Sequence, residues 1–200
     1  MDIVKQFIQE GIRKMELHDF LSHYLVRAGY VESQILKTPI GTRIIIRAER
    51  PNIVIGRRGS RIRELAKILE KHFGIENPQI DVTQIENPQL SAKVMAYKIA
   101  RALARGVRFR RAAFIALRQI MEAGALGAEI VISGKLTSER ARFEKFRAGT
   151  VLKSGHPSEV LVDEANVQVL LKLGVYGVKV KIMKPIGKIP GRIELPEGGK

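Results

Sequence analysis

Ile53-Val54-Ile55-Gly56-Arg57-Arg58-Gly59-Ser60-Arg61-Ile62 sets two glycines around two arginines, between an apolar segment and the start of an apolar helical stripe. Glycine admits positive φ and lacks the Cβ that would hold a phosphate backbone at a distance. Arg57 and Arg58 add charge at the same point, and the free N–H groups at the start of a following helix attract anions. Upstream, Thr42 to Ala48 alternates, with Ile44, Ile46 and Ala48 on one face and Arg43, Ile45 and Arg47 on the other, which predicts a half-buried strand. Downstream, Ile62, Leu65, Ala66, Leu69 and Phe73 recur at helical spacing, and Ile80 to Ile85 predicts a short strand between two similar turns containing Asn77-Pro78 and Asn87-Pro88. At the start of the chain, Ile3, Val4, Phe7, Ile8 and Ile12 make one helical stripe; Leu17, Leu21, Tyr24, Leu25 and Ala28 make a second, ended by Gly29.

The first half therefore reads helix, strand, loop, helix, strand. In that order the loop, with Val54-Ile55 before it and Ile62 after it, resembles the RNA-clamping loop of the K-homology fold in its second, prokaryotic type. The resemblance implies an RNA-binding loop made of Gly56, Arg57, Arg58 and Gly59, supported by Arg61.

Composition points the same way. Thirty-five Lys plus Arg against 20 Asp plus Glu give a formal net charge of +15, a field that attracts polyanions. No apolar run is long enough to span a bilayer, and Met1-Asp2-Ile3-Val4-Lys5 does not open a secretory signal, so the expectation is a cytoplasmic chain without a membrane partner. The absence of cysteine excludes disulfides, thiolate metal sites and thiol nucleophiles. A hydrophobic fraction of 45% leaves packing to hold the fold.

The turn ending near Pro88 marks a domain boundary, because Ser91 can cap a new helix running through Ala96, Ile99, Ala100 and Leu103. Gly106 interrupts it, and a further helix from about Phe109 to Ala123 packs through Ala113, Leu117, Ile120 and Met121. Strand-like segments follow at Ala128 to Ser133, from Glu159 to Asp163 or further, and at Val175 to Met183. The expected organisation is α+β in both halves: residues 1–88 with the K-homology type II domain, 89–184 as a second α+β domain, and 185–200 as a flexible tail rich in proline and glycine.

From Arg101 to Arg118 there are six arginines and no acidic residue. On a helix Arg111 and Arg118 share a face, with Arg108 close to it, opposite the packing residues; this is the pattern of a phosphate-contacting ridge. Arg140, Arg142, Lys145 and Arg147 make a second basic cluster, interrupted by Glu139 and Glu144, whose carboxylates could equally pair with it.

Arg108-Phe109-Arg110-Arg111-Ala112, Gly124-Ala125-Leu126-Gly127, Ser133-Gly134-Lys135-Leu136 and Gly174-Val175-Tyr176-Gly177-Val178-Lys179-Val180-Lys181-Ile182, with the stretch from Val54 to Ile62, closely resemble the universal small-subunit ribosomal protein three family, in their order and over nearly the whole chain. Ser-Gly-Lys-Leu followed by Arg140-Ala141-Arg142 looks archaeal or eukaryotic, and the short tail archaeal. The resemblance implies a place in the head of the small subunit, with ribosomal RNA, messenger RNA and neighbouring small-subunit ribosomal proteins as partners. It implies that Arg110 and Arg111 face incoming messenger RNA and assist its unwinding without a nucleotide; the arginine ridge adds Arg108 and Arg118, and the second basic cluster Arg140, Arg142 and Lys145, as expected RNA contacts. Phe114 stands where bacterial members add a lysine, and Thr137 where some eukaryotic members carry a basic residue.

An enzyme would need a constellation of catalytic groups or metal ligands. His18, His23, His72 and His156 are scattered, no phosphate-binding Gly-x-x-x-x-Gly-Lys-Ser/Thr loop occurs, and no cofactor is expected. The rival reading is a free-standing K-homology RNA-binding regulator.

Overall fold

Ile44, Ile46 and Ala48 are fully buried while Arg43 and Arg47 are exposed, and this period of two makes β2 (Gly41–Ala48) the central strand of the first sheet in the computed structural model. Residues 3–38, 41–75 and 77–185 are described; the expected tail lies outside them from residue 186 onward. The chain divides into two compact units between Pro88 and Gln89. Both are α+β.

In the first unit, β1 (Tyr30–Thr38) pairs antiparallel with β2, and β3 (Gln79–Gln84) pairs parallel with it, in the order β1-β2-β3. A parallel neighbour requires a crossover. Residues 49–78 provide it, carrying the short helix α2 (Pro51–Ile55), the glycine loop and α3 (Ser60–Phe73). Leu65 and Leu69 of α3 join Leu17 and Leu21 of α1 (Ile3–Tyr24), Tyr30, Ile44, Ile46 and Val54 in one core. Truncating a leucine such as Leu69, which has no exposed surface, costs about 2–5 kcal/mol. Tyr30 brings a hydroxyl into this core; it donates to Ser33 Oγ at 2.9 Å and lies 2.8 Å from His18 Nδ1.

The two N-terminal stripes share one continuous helix as far as Tyr24, after which Val26–Ala28 form a separate 3-10 turn before Gly29, and only the second stripe packs. Leu17 and Leu21 are buried, whereas Ile3, Val4, Phe7, Ile8 and Ile12 are all more than half exposed. β1 was not foreseen from the sequence. Beyond Tyr30 and a register shift at Tyr30/Glu32 it is an edge strand with little buried surface, so its alternation is weak.

In the second unit, β4 (Gly127–Gly134), β5 (Arg142–Gly149), β6 (Val162–Leu171) and β7 (Gly174–Met183) form an antiparallel sheet in the order β5-β4-β7-β6. α4 (Ala92–Ala104) and α5 (Phe109–Glu122) cover one face, burying Met95, Ile99, Leu103, Ala113 and Ile120 against Ile130, Ile132, Val178, Val180 and Ile182. β5 was also missed: its strand buries Phe146 alone among charged neighbours. Where a strand was expected from Glu159, a short helix α6 (His156–Leu161) comes first and β6 begins at Val162.

The start of α4 corrects a further expectation. Ser91 makes no side-chain capping bond; instead Asp163 on β6 accepts the Ala92 N–H at 3.1 Å, with Lys184 Nζ 3.5 Å away. An acceptor from another element satisfies the same helix-end donor that a local cap would. At the β4–β5 end, a Cβ on Gly127 would overlap the Thr150 carbonyl, so only glycine lets these backbones meet there.

Candidate nucleic-acid interface

The loop in the β2–β3 crossover is built from three departures from ordinary helical geometry within four residues. Gly56 has φ 72° and ψ 179°, a region almost restricted to glycine; Arg58 (φ 52°, ψ 30°) and Gly59 (φ 71°, ψ 19°) are left-handed. A Cβ on Gly56 would come within 2.8 Å of Arg61 Cγ and 2.9 Å of its Cβ, whereas one on Gly59 would meet nothing closer than 3.7 Å. The first glycine is thus required by conformation and by packing, the second by conformation alone.

Two arginines hold this shape. Arg61 donates to the Ile53 carbonyl at 3.2 Å, and Arg63 donates to the carbonyls of Arg58 at 2.5 Å and Gly59 at 3.3 Å. Arg57 and Arg58 are exposed, and among the described residues neither side chain has a partner, so their charges are available to an anion beside the first turn of α3. Arg63 was not singled out from the sequence; nothing in its spacing marks it, since its role depends on the loop turning back over α3.

In the second unit, Arg108 precedes α5, and Arg110, Arg111 and Arg118 project from it, all exposed. Arg108, Arg110 and Arg111, with Lys98 from α4, line a groove of about 920 Å³ between the two helices, over a floor that includes Ile99 and Ile115. The absence of acid in this run holds only along the chain. Glu144 on β5 accepts two hydrogen bonds from Arg110, at 3.0 Å from Nε and 2.9 Å from Nη2. That pair holds the Glu144 carboxyl below, and the Arg110 guanidinium above, their ordinary pKa values, the hydrogen bond between them being the main cause. The Arg110 guanidinium also lies 5.7 Å from the centroid of the Phe109 ring. Arg111 and Arg118 have no such partner among the described residues. Between them on the helix, Phe114 is 60% exposed and meets Phe146 edge-on at 5.3 Å.

The second basic cluster is separated by the sheet. Arg142 and Glu144 fall on the register that faces the helices, while Lys145 and Arg147 fall on the opposite face, and Arg140 lies before the strand. Lys145 is 3.5 Å from Glu129. Among the described residues no group of His, Asp and Glu is arranged to hold a metal ion, and no helix is long and apolar enough to cross a membrane.

The KH domain family matches residues 16–90, and the family described as Ribosomal protein S3, C-terminal domain, matches residues 99–182. A small ribosomal subunit protein uS3 from Thermofilum pendens is 61% identical over 189 residues, which cover 94% of this chain and 93% of that protein. The chain belongs to the uS3 family of small ribosomal subunit proteins. The uS3 of Saccharolobus solfataricus is 52% identical over 196 residues, covering 98% of this chain and 85% of its own. The uS3 of Pyrobaculum calidifontis is 51% identical over 185 residues, covering 91% and 86%. The KH match ends at residue 90, just past the division at Pro88, and the S3 C-terminal match begins at residue 99, so the uS3 family accounts for the glycine loop and the arginine helix together.

Proposed function

We propose that this protein is a non-enzymatic, structural constituent of the small ribosomal subunit, a cytoplasmic ribosome component that binds ribosomal RNA and neighbouring ribosomal proteins. Within the subunit, the exposed arginine face of α5 lines the channel through which messenger RNA enters and assists passive unwinding. The observation that carries the finer part is that Arg108, Arg111 and Arg118 lie exposed and without acidic partners among the described residues, along one element that also offers Phe114. Fixed cations beside a strand-separation point hold the opened strand by its phosphates, and favouring the open state by about 1.4 kcal/mol shifts the equilibrium tenfold.

The test is translation by ribosomes carrying Arg110→Ala and Arg111→Ala. They are expected to assemble normally, read unstructured messages at near the normal rate, and slow on a message with a stable downstream hairpin. Equal slowing on both messages, or failed assembly, makes these arginines anchors for ribosomal RNA instead. Sedimentation with the small subunit through high salt separates a ribosomal constituent from a free regulator, which would wash off.

A further inference from the structure

α4 and α5 cover only one face of the second sheet. On the other face, strand register brings residues from all four strands into rows. Phe143, Ser133, Gly177 and Gln168 make the first row; Lys145, Val131, Lys179 and Asn166 the second; Arg147, Glu129, Lys181 and Glu164 the third. β6 shows the alternation plainly: Glu164, Asn166, Gln168 and Leu170 are exposed while the residues between them are partly buried.

We propose that this open face binds a segment of single-stranded RNA, with Phe143 stacking a base, Lys145, Arg147 and Lys179 holding phosphates, and Asn166 and Gln168 reaching base edges. The proposal rests on the reading of the chain as an RNA-binding protein, and assigns to it a surface on the side of the sheet away from the arginine helix. Four observations converge on it. Phe143 is 69% exposed on an edge strand, where a structural aromatic would be buried, and it is the flat, sequence-tolerant platform that an unpaired base requires. Beside it Ser133 and Gly177, the two smallest residues of these rows, keep the surface low enough for a base to lie against it. Phe143, Lys145 and Arg147 alternate along one strand at steps of about 7 Å, the reach of one nucleotide in an extended strand.

Charge supplies the fourth. Four cations on the three rows face two carboxylates. Glu129 is only 8% exposed, with Lys145 3.5 Å and Lys153 3.9 Å away, so it presents little negative charge to an incoming chain. Glu164 pairs with both Lys179 and Lys181, the latter at 2.8 Å. Arg147 has no ionic partner among the described residues. An acidic protein surface would also answer this charge, but it would leave the exposed ring and the amide row without a function.

The chain contains no tryptophan, so Phe143→Trp introduces a single fluorophore on this face without touching the core. Titrating the full-length variant with single-stranded oligoadenylate of about ten nucleotides should quench that fluorescence saturably, as a base stacks on the indole. The quench should persist with Arg57→Asp and Arg58→Asp, and with Arg111→Ala and Arg118→Ala. Lys145→Ala with Lys179→Ala in the Phe143→Trp chain should weaken it, and in a mobility assay Phe143→Ala should lower the affinity of a chain already carrying Arg57→Asp, Arg58→Asp, Arg111→Ala and Arg118→Ala by about tenfold, the contribution of one stacked base. If the chain binds the oligonucleotide in a mobility assay while the tryptophan is unaffected, RNA sits elsewhere and this proposal fails alone. If no variant binds RNA at all, the RNA-binding reading fails with it. Stronger quenching by polyglutamate than by RNA would assign the face to an acidic protein and overturn the proposal.

Discussion

Arg110 reaches from α5 to the edge strand β5 and meets Glu144 with two parallel hydrogen bonds of 3.0 and 2.9 Å. A guanidinium held this way is committed in geometry and half-neutralised in charge. Arg110 and Arg111, adjacent in sequence, are therefore unequal. Arg111→Ala is expected to weaken RNA binding by the isolated full-length chain more than Arg110→Ala does. Glu144→Gln should strengthen binding and steepen its salt dependence by about 0.7 for one regained phosphate contact. Salt titrations of RNA affinity for the three variants decide it; a drop in affinity for Glu144→Gln would show that the latch positions Arg110 for RNA rather than occupying it.

The carboxylates of the second unit set its response to acid. Hydrogen bonds from Lys179 and Lys181 hold the Glu164 carboxyl below its ordinary value, as Arg110 does for Glu144. Groups with lowered folded pKa add stability that is complete above their ordinary value of 4.5 and is lost as pH falls through the lower folded one. The urea midpoint of the chain should fall between about pH 5 and pH 3, and fall less in Glu164→Gln. Equal losses in both proteins would rule Glu164 out as a contributor.

At the alkaline end the same reasoning runs with the opposite sign. Burial pushes the Tyr30 phenol from 10.0 up to about 12. Stability tied to the neutral phenol is complete below its ordinary value and lost as pH rises toward the folded one. Between pH 10.0 and about 12 the first unit should therefore lose stability. Tyr30→Phe removes the contacts to Ser33 and His18, should cost about 1 kcal/mol at neutral pH, and should flatten the alkaline loss. Denaturant curves at the two pH values are the measurement.

For the glycine loop, the charges and the frame separate by mutation. Arg57→Asp with Arg58→Asp should reduce RNA affinity and lower the salt slope by about 0.7 per lost contact, with melting unchanged. Gly59→Ala bears only the left-handed conformation, about 1–2 kcal/mol. Gly56→Ala adds a collision with Arg61 and should be the more damaging of the two in both melting and binding. If the two alanine variants melt alike, the contact to Arg61 does not support the loop.

The sequence made the first core legible wherever burial was strong and periodic: Ile44, Ile46 and Ala48 on the strand, Leu65 and Leu69 on the helix. It hid β1 and β5 because edge strands bury few residues; around Phe146 the alternation of β5 read as a basic cluster. The loop's residues were readable as a motif, but not that Gly56 and Gly59 serve different needs, nor that Arg61 and Arg63 are occupied by carbonyls. Partners brought together by folding were invisible for the same reason. Glu144 lies 34 residues from Arg110, and Asp163 caps a helix that begins 71 residues earlier.

Each sheet joins local hairpins or neighbours through one distant pairing: β2 with β3 across residues 49–78, and β4 with β7 across residues 135–173. Hairpins close in microseconds, whereas a distant pairing must first overcome the entropy of closing its long connection. The glycine loop sits inside the first of these connections, so its geometry is among the last things the unit acquires. During synthesis the first sheet can be completed only after Gln84 has left the exit tunnel, and the second only after Met183.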